Sequence, residues 1–208
     1  MGRDERDYEE LRMKNYTVLH AAGSPDWDAV PVAVLLPCRW SPNPPPAAEA
    51  RAVWTQEALT VRLESFAAPT RAENTAPDSP VWEDSCLEFF FTADGRTYIN
   101  LEGNAKGALR ASIGPDRHDR RLLRELGASL PRVEAEAASD RWALTLVIPA
   151  ALFETLLGVS LRPGLSLGAN FYSCGDKTPA PHYAAWNPVE TETPDFHRPE
   201  FFGELQLA

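Results

Sequence analysis

The stretch Trp82 to Asn104 reads WEDSCLEFFFTADGRTYINLEGN and holds two runs in which apolar and polar residues alternate. The runs flank Ala93, Asp94 and Gly95, and a three-residue loop ending in glycine is typical of a β-hairpin whose last turn residue is left-handed. This loop predicts cross-strand pairs of Phe90 with Tyr98, Glu88 with Asn100, and Cys86 with Glu102. Leu87, Phe89, Ile99 and Leu101 then share the opposite, apolar face.

The same alternation predicts a polar row on the outer face of the hairpin, formed by Glu88, Tyr98, Asn100, Glu102 and Asn104. Carboxylate and amide groups in such a row can hydrogen-bond a ligand. The alternative is that the row is only the solvated face of an antiparallel sheet, which is a common arrangement.

Short period-two segments also occur outside the hairpin, at 59–64, 142–148 and 165–172, and residues 132–138 are candidates to pair with the second of these. Loops are predicted in three stretches rich in proline or small polar residues, at 40–47, 68–80 and 187–200. Helix signals are confined to residues 119–126 and 150–157. The pattern predicts an all-β fold, an antiparallel β-sandwich or jelly roll with one or two short helices. A charged segment is expected at 1–14 and one domain at 15–208.

The composition narrows the classes of partner. The 208 residues include 30 acidic and 20 basic side chains, and the formal charge of −10 disfavours nucleic acid and anionic membrane surfaces. No apolar run is long enough for a membrane-spanning helix, and the polar N-terminus has no secretion signal. We therefore expect a cytoplasmic location for the sequence as given, or a secreted one if the sequence is truncated.

The three cysteines, Cys38, Cys86 and Cys174, are widely spaced and fit neither a disulfide framework nor a zinc motif. Reduced thiols are the preferred interpretation. Cys86 and Cys174 fall on the outer parity of their strands, so they are candidate neighbours, and a disulfide between them is the alternative.

Two of the six tryptophans stand out by their positions beside loops. Trp27, Trp40, Trp54 and Trp142 lie in or beside strand-like segments and are expected to be buried. Trp82 follows one loop, and Trp186 lies in PHYAAWNP at the edge of another. A flat aromatic ring can stack on the apolar face of a sugar while carboxylate and amide groups bind its hydroxyls.

Four ordered motifs give the sequence a resemblance to the family nine carbohydrate-binding modules, and more closely to bacterial family-nine-like domains. They are WEDSCLEFFF, YINLEGNAKG, NFYSCGD, and PHYAAWNP followed by PDFHRPEFFGELQL. The resemblance implies a β-sandwich that binds a mono- or oligosaccharide without catalysis, with Trp82 and Trp186 as the clamp and Glu88 and Asn100 as polar contacts. Tyr98 stands where such modules can present an arginine. The family also implies structural calcium, for which Asp78, Glu83 and Asp84 are weak candidates; no other cofactor is expected.

Two rival functions remain open from the residues alone. Glu88 and Glu102 on adjacent strands are candidates for the acid and its ionised partner in a glycoside-processing enzyme. Trp82 and Trp186 are equally candidates for anchors in a protein-interaction module. His182 is a further candidate ligand contact, with loop bracing as its alternative, whereas His197 is expected to make a structural hydrogen bond.

Overall fold

Residues 13–208 are described in the computed structural model of the protein, and they fold into thirteen β-strands with little helix. The strands are β1 Asn15–His20, β2 Ala33–Pro37, β3 Ala48–Trp54, β4 Ala58–Ser65, β5 Cys86–Thr92, β6 Tyr98–Asn104, β7 Leu109–Gly114, β8 Arg121–Leu122, β9 Arg132–Ala137, β10 Trp142–Pro149, β11 Ser166–Cys174, β12 Tyr183–Ala185 and β13 Gly203–Leu207. A helix, α1, spans Ala150–Leu152 and continues as a π-helical turn over Phe153–Leu157. Four 3₁₀ turns lie at Trp27–Ala29, Val81–Glu83, Leu123–Leu126 and Pro199–Phe201.

The strands form two sheets that pack as a sandwich. The first sheet has the order β8-β7-β6-β5-β11, and β11 continues to both β12 and β13. The second has the order β9-β10-β4-β3-β2. Strand β12 pairs with β2, which joins the two sheets. Strand β1 also joins them, because it runs parallel first to β13 and then to β3. All other pairings are antiparallel, which confirms the predicted fold class, and β9 pairs with β10 as expected.

The core between the sheets consists of the inward side chains of both. They include Leu59, Val61 and Leu63 of β4, Leu144, Leu146 and Ile148 of β10, Phe89 and Phe91 of β5, Ile99 and Leu101 of β6, and Phe171 of β11. The period-two pattern assigned all of these residues except Phe91 to the apolar face. Neither α1 nor any other helix in residues 13–208 has the length and apolar character needed to cross a bilayer.

A second apolar cluster covers the outer face of the first sheet. Phe90, Tyr98 and Tyr172 project outward and pack against Phe196, within the last long loop, and Phe202, just before β13. Tyr172 and Phe196 stack with ring centroids 4.0 Å apart. Strands β5 and β6 are therefore buried on both faces, and the polar row is not a plain solvated surface.

The predicted register of the β5–β6 hairpin is wrong by two residues. Glu88 pairs with Glu102, Phe90 with Asn100 and Cys86 with Asn104. The turn is longer than predicted because side chains close it: Asp94 Oδ1 accepts the N–H groups of Arg96 at 2.8 Å and Thr97 at 2.9 Å. Since the shift is an even number, every side chain keeps its predicted face.

The remaining sequence expectations have mixed outcomes. Both predicted helical regions contain short helical turns, and Gly95 has the predicted left-handed conformation with φ of 71°. Cys86 pairs directly with Cys174, and both are free thiols. Residues 1–12 of the predicted charged segment lie outside the described residues, so the boundary at residue 14 stays a prediction.

Candidate functional site

A cavity of about 320 Å³ opens on the outer face of the first sheet, beside the second apolar cluster. Strands β5, β6 and β7 supply its floor, and loops from distant parts of the chain supply its walls. Its lining residues are Trp40, Trp82, Glu88, Asn100, Glu102, Arg110, Arg117, His118, Arg120, Cys174, Asp176, Tyr183, Pro194, Asp195, Phe196 and His197. The volume falls at the lower end of the range for small-molecule sites.

Two carboxyl groups lie side by side on the cavity floor. Glu88 and Glu102 are direct cross-strand partners on the same sheet face, and they are only 3% and 4% exposed. Burial and the neighbouring Glu102 carboxylate raise the pKa of Glu88 well above its usual value. Burial also raises the pKa of Glu102, but a hydrogen bond from Asn100 and the charges of Arg110 and Arg120 oppose that effect. Glu88 therefore holds its proton to higher pH than an ordinary glutamate.

The amide of Asn100 is held in one orientation by its neighbours. Its Oδ1 accepts from Ser112 Oγ at 2.6 Å and from Arg120 Nη2, so its Nδ2 donates to Glu102 Oε1. Arg120 is itself fixed by Ser112 Oγ at 3.0 Å and the Tyr98 carbonyl at 3.1 Å. The floor therefore presents a preformed set of donors and acceptors.

Two tryptophans line the cavity, but they are not the pair expected from the sequence. Trp82 lies in the 3₁₀ turn Val81–Glu83, and the guanidinium carbon of Arg110 is 5.2 Å from its ring centroid. Trp40 follows β2 and packs against Tyr183 at 5.0 Å and Phe196 at 5.5 Å between ring centroids. Both indoles are half-buried, so each ring keeps area available to a ligand.

Charged groups of both signs surround these rings. Arg110, Arg117 and His118 contribute cationic or donor groups, and Asp176 and Asp195 contribute acceptors. Such a mixture suits a neutral ligand with many hydroxyl groups, each of which both donates and accepts. His197 accepts or donates one hydrogen bond with Tyr98 Oη at 2.9 Å, so the predicted structural bond is present, although its ring also lines the cavity.

The prediction that Trp186 is the second half of a clamp is wrong. Trp186 is 4% exposed and belongs to the core between the sheets. Its ring packs edge-on against Tyr16 at 6.3 Å and tilted against Phe171 at 5.6 Å. The indole points inward because Trp186 follows β12 on the parity of Ala184, which also faces the core.

Three further predicted contacts do not line the cavity. Tyr98 is fully buried, with Arg120 stacked 4.2 Å above its ring. Asn104 donates to Asp84 Oδ2 at 2.8 Å and to the Asn74 carbonyl at 2.7 Å, so it braces the 68–80 loop. His182 Nδ1 lies 2.9 Å from the Ala180 carbonyl and lines a different cavity, which favours its loop-bracing alternative.

Several lining residues were not among the predicted contacts, although the sequence carries a signal for some of them. Trp40 begins the WSPNPPP stretch, so it satisfies the same loop-edge criterion that selected Trp82. Arg117 and Arg120 belong to DRHDRR, a basic run in an acidic chain. Nothing in the local pattern of Asp176 or Asp195 separates them from ordinary loop residues.

The three weak calcium candidates all have protein partners. Asp84 accepts the backbone N–H groups of Glu73 at 3.1 Å and Asn74 at 3.0 Å. Glu83 pairs with Lys177 at 2.8 Å, and Asp78 pairs with Arg124. Calcium binding here would have to displace these contacts, and it stays a prediction.

Comparison with known proteins gives one family and several similar structures. The sequence model of carbohydrate-binding family 9 matches residues 27–207. No curated protein matches the sequence significantly.

Three solved structures resemble the chain over nearly its whole length. A proposed carbohydrate-binding protein from Bacteroides uniformis is 28% identical with a TM-score of 0.79, covering 95% of this chain and 100% of that one. A family 9 module from Caldicellulosiruptor kristjanssonii in complex with cellotriose is 15% identical with a TM-score of 0.68, covering 93% of each chain. The same organism's family 9 module in complex with glucose gives 15% identity and a TM-score of 0.67, covering 94% of this chain and 96% of that one.

Proposed function

The chain belongs to carbohydrate-binding family 9, and from this membership and the lining of the cavity we propose that it binds one or two sugar units there without catalysis. Trp82 and Trp40 supply the stacking surfaces. Glu102, Asn100 and Arg120 supply the contacts to the hydroxyl groups. The observation that carries the proposal is a cavity of about 320 Å³ that combines two half-buried indoles with a preformed polar floor.

A glucose unit is the first ligand to test. Family 9 modules have been solved with glucose and with cellotriose, both of which present glucose rings. Equatorial hydroxyls leave the faces of such a ring apolar, so an indole gains contact area without burying an unpaired hydroxyl. The polar groups of the floor then match the rim of the ring.

Catalysis by Glu88 and Glu102 is the alternative function, because both carboxyl groups line the cavity. The two carboxyl groups are adjacent, and burial raises the pKa of both. The hydrogen bond from Asn100 and the charges of Arg110 and Arg120 favour the ionised form of Glu102, as the partner of an acid requires. Glu102 is tied to Asn100 and Glu88 to the Cys174 thiol. These bonds support a binding role because they hold both groups in the floor.

The test is a titration of glucose, cellobiose and cellotriose by calorimetry and by tryptophan fluorescence. We expect saturable binding that weakens at least tenfold, or about 1.4 kcal/mol, in Trp82→Ala and in Trp40→Ala. Trp27→Ala is the matched control, since Trp27 is also half-buried but lies outside the cavity lining. No response to these sugars, or equal losses in all three variants, would overturn the proposal.

Catalysis is checked on the same sugars. Incubation of the disaccharide and trisaccharide with the protein should release no product. Release that disappears in both Glu88→Gln and Glu102→Gln would establish the enzymatic alternative instead.

A further inference from the structure

Two buried cysteines lie beside the carboxyl group of Glu88. Cys86 on β5 pairs directly with Cys174 on β11, and Glu88 projects from the same face as Cys86 two residues further along β5. Both Sγ atoms and a carboxylate oxygen of Glu88 lie within 4.8 Å of one another, and the Cys174 thiol donates to Glu88 Oε1 at 3.0 Å. All three side chains are buried.

We propose that Cys86, Cys174 and Glu88 form a binding site for a thiophilic divalent cation of the zinc or cadmium type. Thiolate and carboxylate groups are ligands that Zn²⁺ accepts in tetrahedral sites, and three protein ligands leave one position open. Metal–ligand bonds of about 2.0–2.3 Å place tetrahedral ligands roughly 3.3–3.8 Å apart. No pair of ligand atoms has to close by more than about 1.5 Å from its present separation.

The charge around Glu88 is an independent observation that points to a cation. No salt bridge in the described part of the chain includes Glu88 or Glu102. The charged groups that influence Glu88 most are two further carboxylates, Glu102 and Asp176. Ionising a buried glutamate without a counter-charge is costly, and a bound cation would offset that cost.

The cluster can be reached from two cavities. Glu88 and Cys174 line the sugar cavity, so the open coordination position would face it. Cys86 and Cys174 also line a second cavity of about 310 Å³, next to His182. The three ligands lie on paired central strands, which hold them more firmly than loops would.

The proposed metal site does not depend on sugar binding, and its test uses no sugar. The full-length protein is reduced, freed of metal and titrated with Cd²⁺ alone. We expect one ion per chain, a thiolate-to-cadmium charge-transfer absorption in the ultraviolet, and release of protons from the thiols. Cys86→Ser and Cys174→Ser should lose this absorption, whereas Cys38→Ser, the matched control at the third thiol, should keep it.

A second measurement covers the case in which a variant does not fold. X-ray absorption by the cadmium complex of the unaltered protein should report two sulfur ligands. Unchanged absorption on adding Cd²⁺ to the reduced protein, absorption that persists in Cys174→Ser, or a complex without sulfur ligands would each overturn the site. Sugar titrations remain a separate measurement, so either proposal can fail alone.

Discussion

The buried side chain of Glu88 has few contacts that stabilise its ionised form. Its side chain is 3% exposed, its cross-strand partner is another glutamate, and its hydrogen bond comes from a thiol. Burial and Glu102 raise its pKa well above 4.5, so above pH 4.5 the folded chain holds a proton that the unfolded chain releases. Stability contributed by this group therefore falls as the pH rises through the raised pKa.

Replacing Glu88 by glutamine should stabilise the metal-free protein most strongly at alkaline pH. The amide oxygen can still accept from the Cys174 thiol, and no charge has to be buried. Each kcal/mol gained should raise the Tm by about 2–4 °C for a chain of this size. Thermal unfolding at pH 5 and pH 8, in the presence of a chelator, measures the effect. Glu154→Gln, at an exposed position, should show no such gain, and an equal gain at both pH values would contradict the explanation.

Replacement by alanine should mainly lower stability at Trp186 and mainly weaken sugar binding at Trp82. Trp186→Ala removes a core ring that packs against Tyr16 and Phe171, which should lower the free energy of unfolding by about 3–5 kcal/mol. Trp82→Ala removes a half-buried ring and should cost much less stability while it weakens sugar binding at least tenfold. Urea unfolding of both variants makes the comparison. A Trp186→Ala variant of nearly unaltered stability would be inconsistent with its place in the core.

At the level of elements, the sequence of the β5–β6 hairpin determines which face each side chain occupies but not which residues pair across the strands. Alternation alone predicted that Phe89, Ile99 and Leu101 face the core, because a strand has a period of two. The cross-strand partners, predicted from a three-residue loop, were wrong, since a loop of five residues gives the same faces. The side chains of Thr92 and Asp94 decide between them by hydrogen-bonding the turn, and those bonds depend on three-dimensional geometry.

The connection between β7 and β8 carries three cavity residues, and Gly114 fixes its course. A Cβ atom at Gly114 would lie 1.9 Å from the carbonyl oxygen of Asp119, which is a backbone atom. Gly114→Ala should therefore push away the segment that bears Arg117, His118 and Arg120. We expect a loss of stability of about 1–3 kcal/mol and sugar affinity at least tenfold weaker.

The control for this prediction is Gly23→Ala, where an added Cβ meets no atom within 4 Å. Chemical unfolding and sugar titration should both give values close to those of the unaltered protein. If Gly114→Ala binds sugar normally, the segment at 115–120 does not position the site in the way described.

At the scale of the whole molecule, the site depends on contacts between parts of the chain that are far apart in sequence. Trp40 meets Tyr183 and Phe196, and Arg117 lies 3.9 Å from Asp195. The sequence identified Trp82 and the floor carboxylates because one hairpin and its entry turn carry them. The choice of Trp186 over Trp40 was wrong, since both lie at loop edges and only long-range packing decides which ring enters the core.

The pH dependence of stability should show two opposing contributions from buried groups of the cavity. Burial and the charges of Arg120 and Arg117 lower the pKa of His197 to about 3, so below its ordinary value of 6.5 the unfolded chain binds a proton that the folded chain does not. This contribution is complete above pH 6.5 and is lost as the pH falls toward 3, at about 1.4 kcal/mol per pH unit. Glu88 acts in the other direction above pH 4.5.

Stability should therefore fall as the pH drops below 4.5, where His197 still binds a proton in the unfolded chain only. On the other side, stability should fall as the pH rises through the raised pKa values of Glu88, Glu102 and Asp176. Urea unfolding across the pH range should give a curve that falls on both sides. His197→Gln should reduce the slope on the acid side and Glu88→Gln the slope on the alkaline side, since each removes one proton difference between the folded and unfolded states. A His197→Gln curve that keeps the full acid slope would assign that slope to the acidic groups Asp84 and Asp94, whose lowered pKa values act at lower pH.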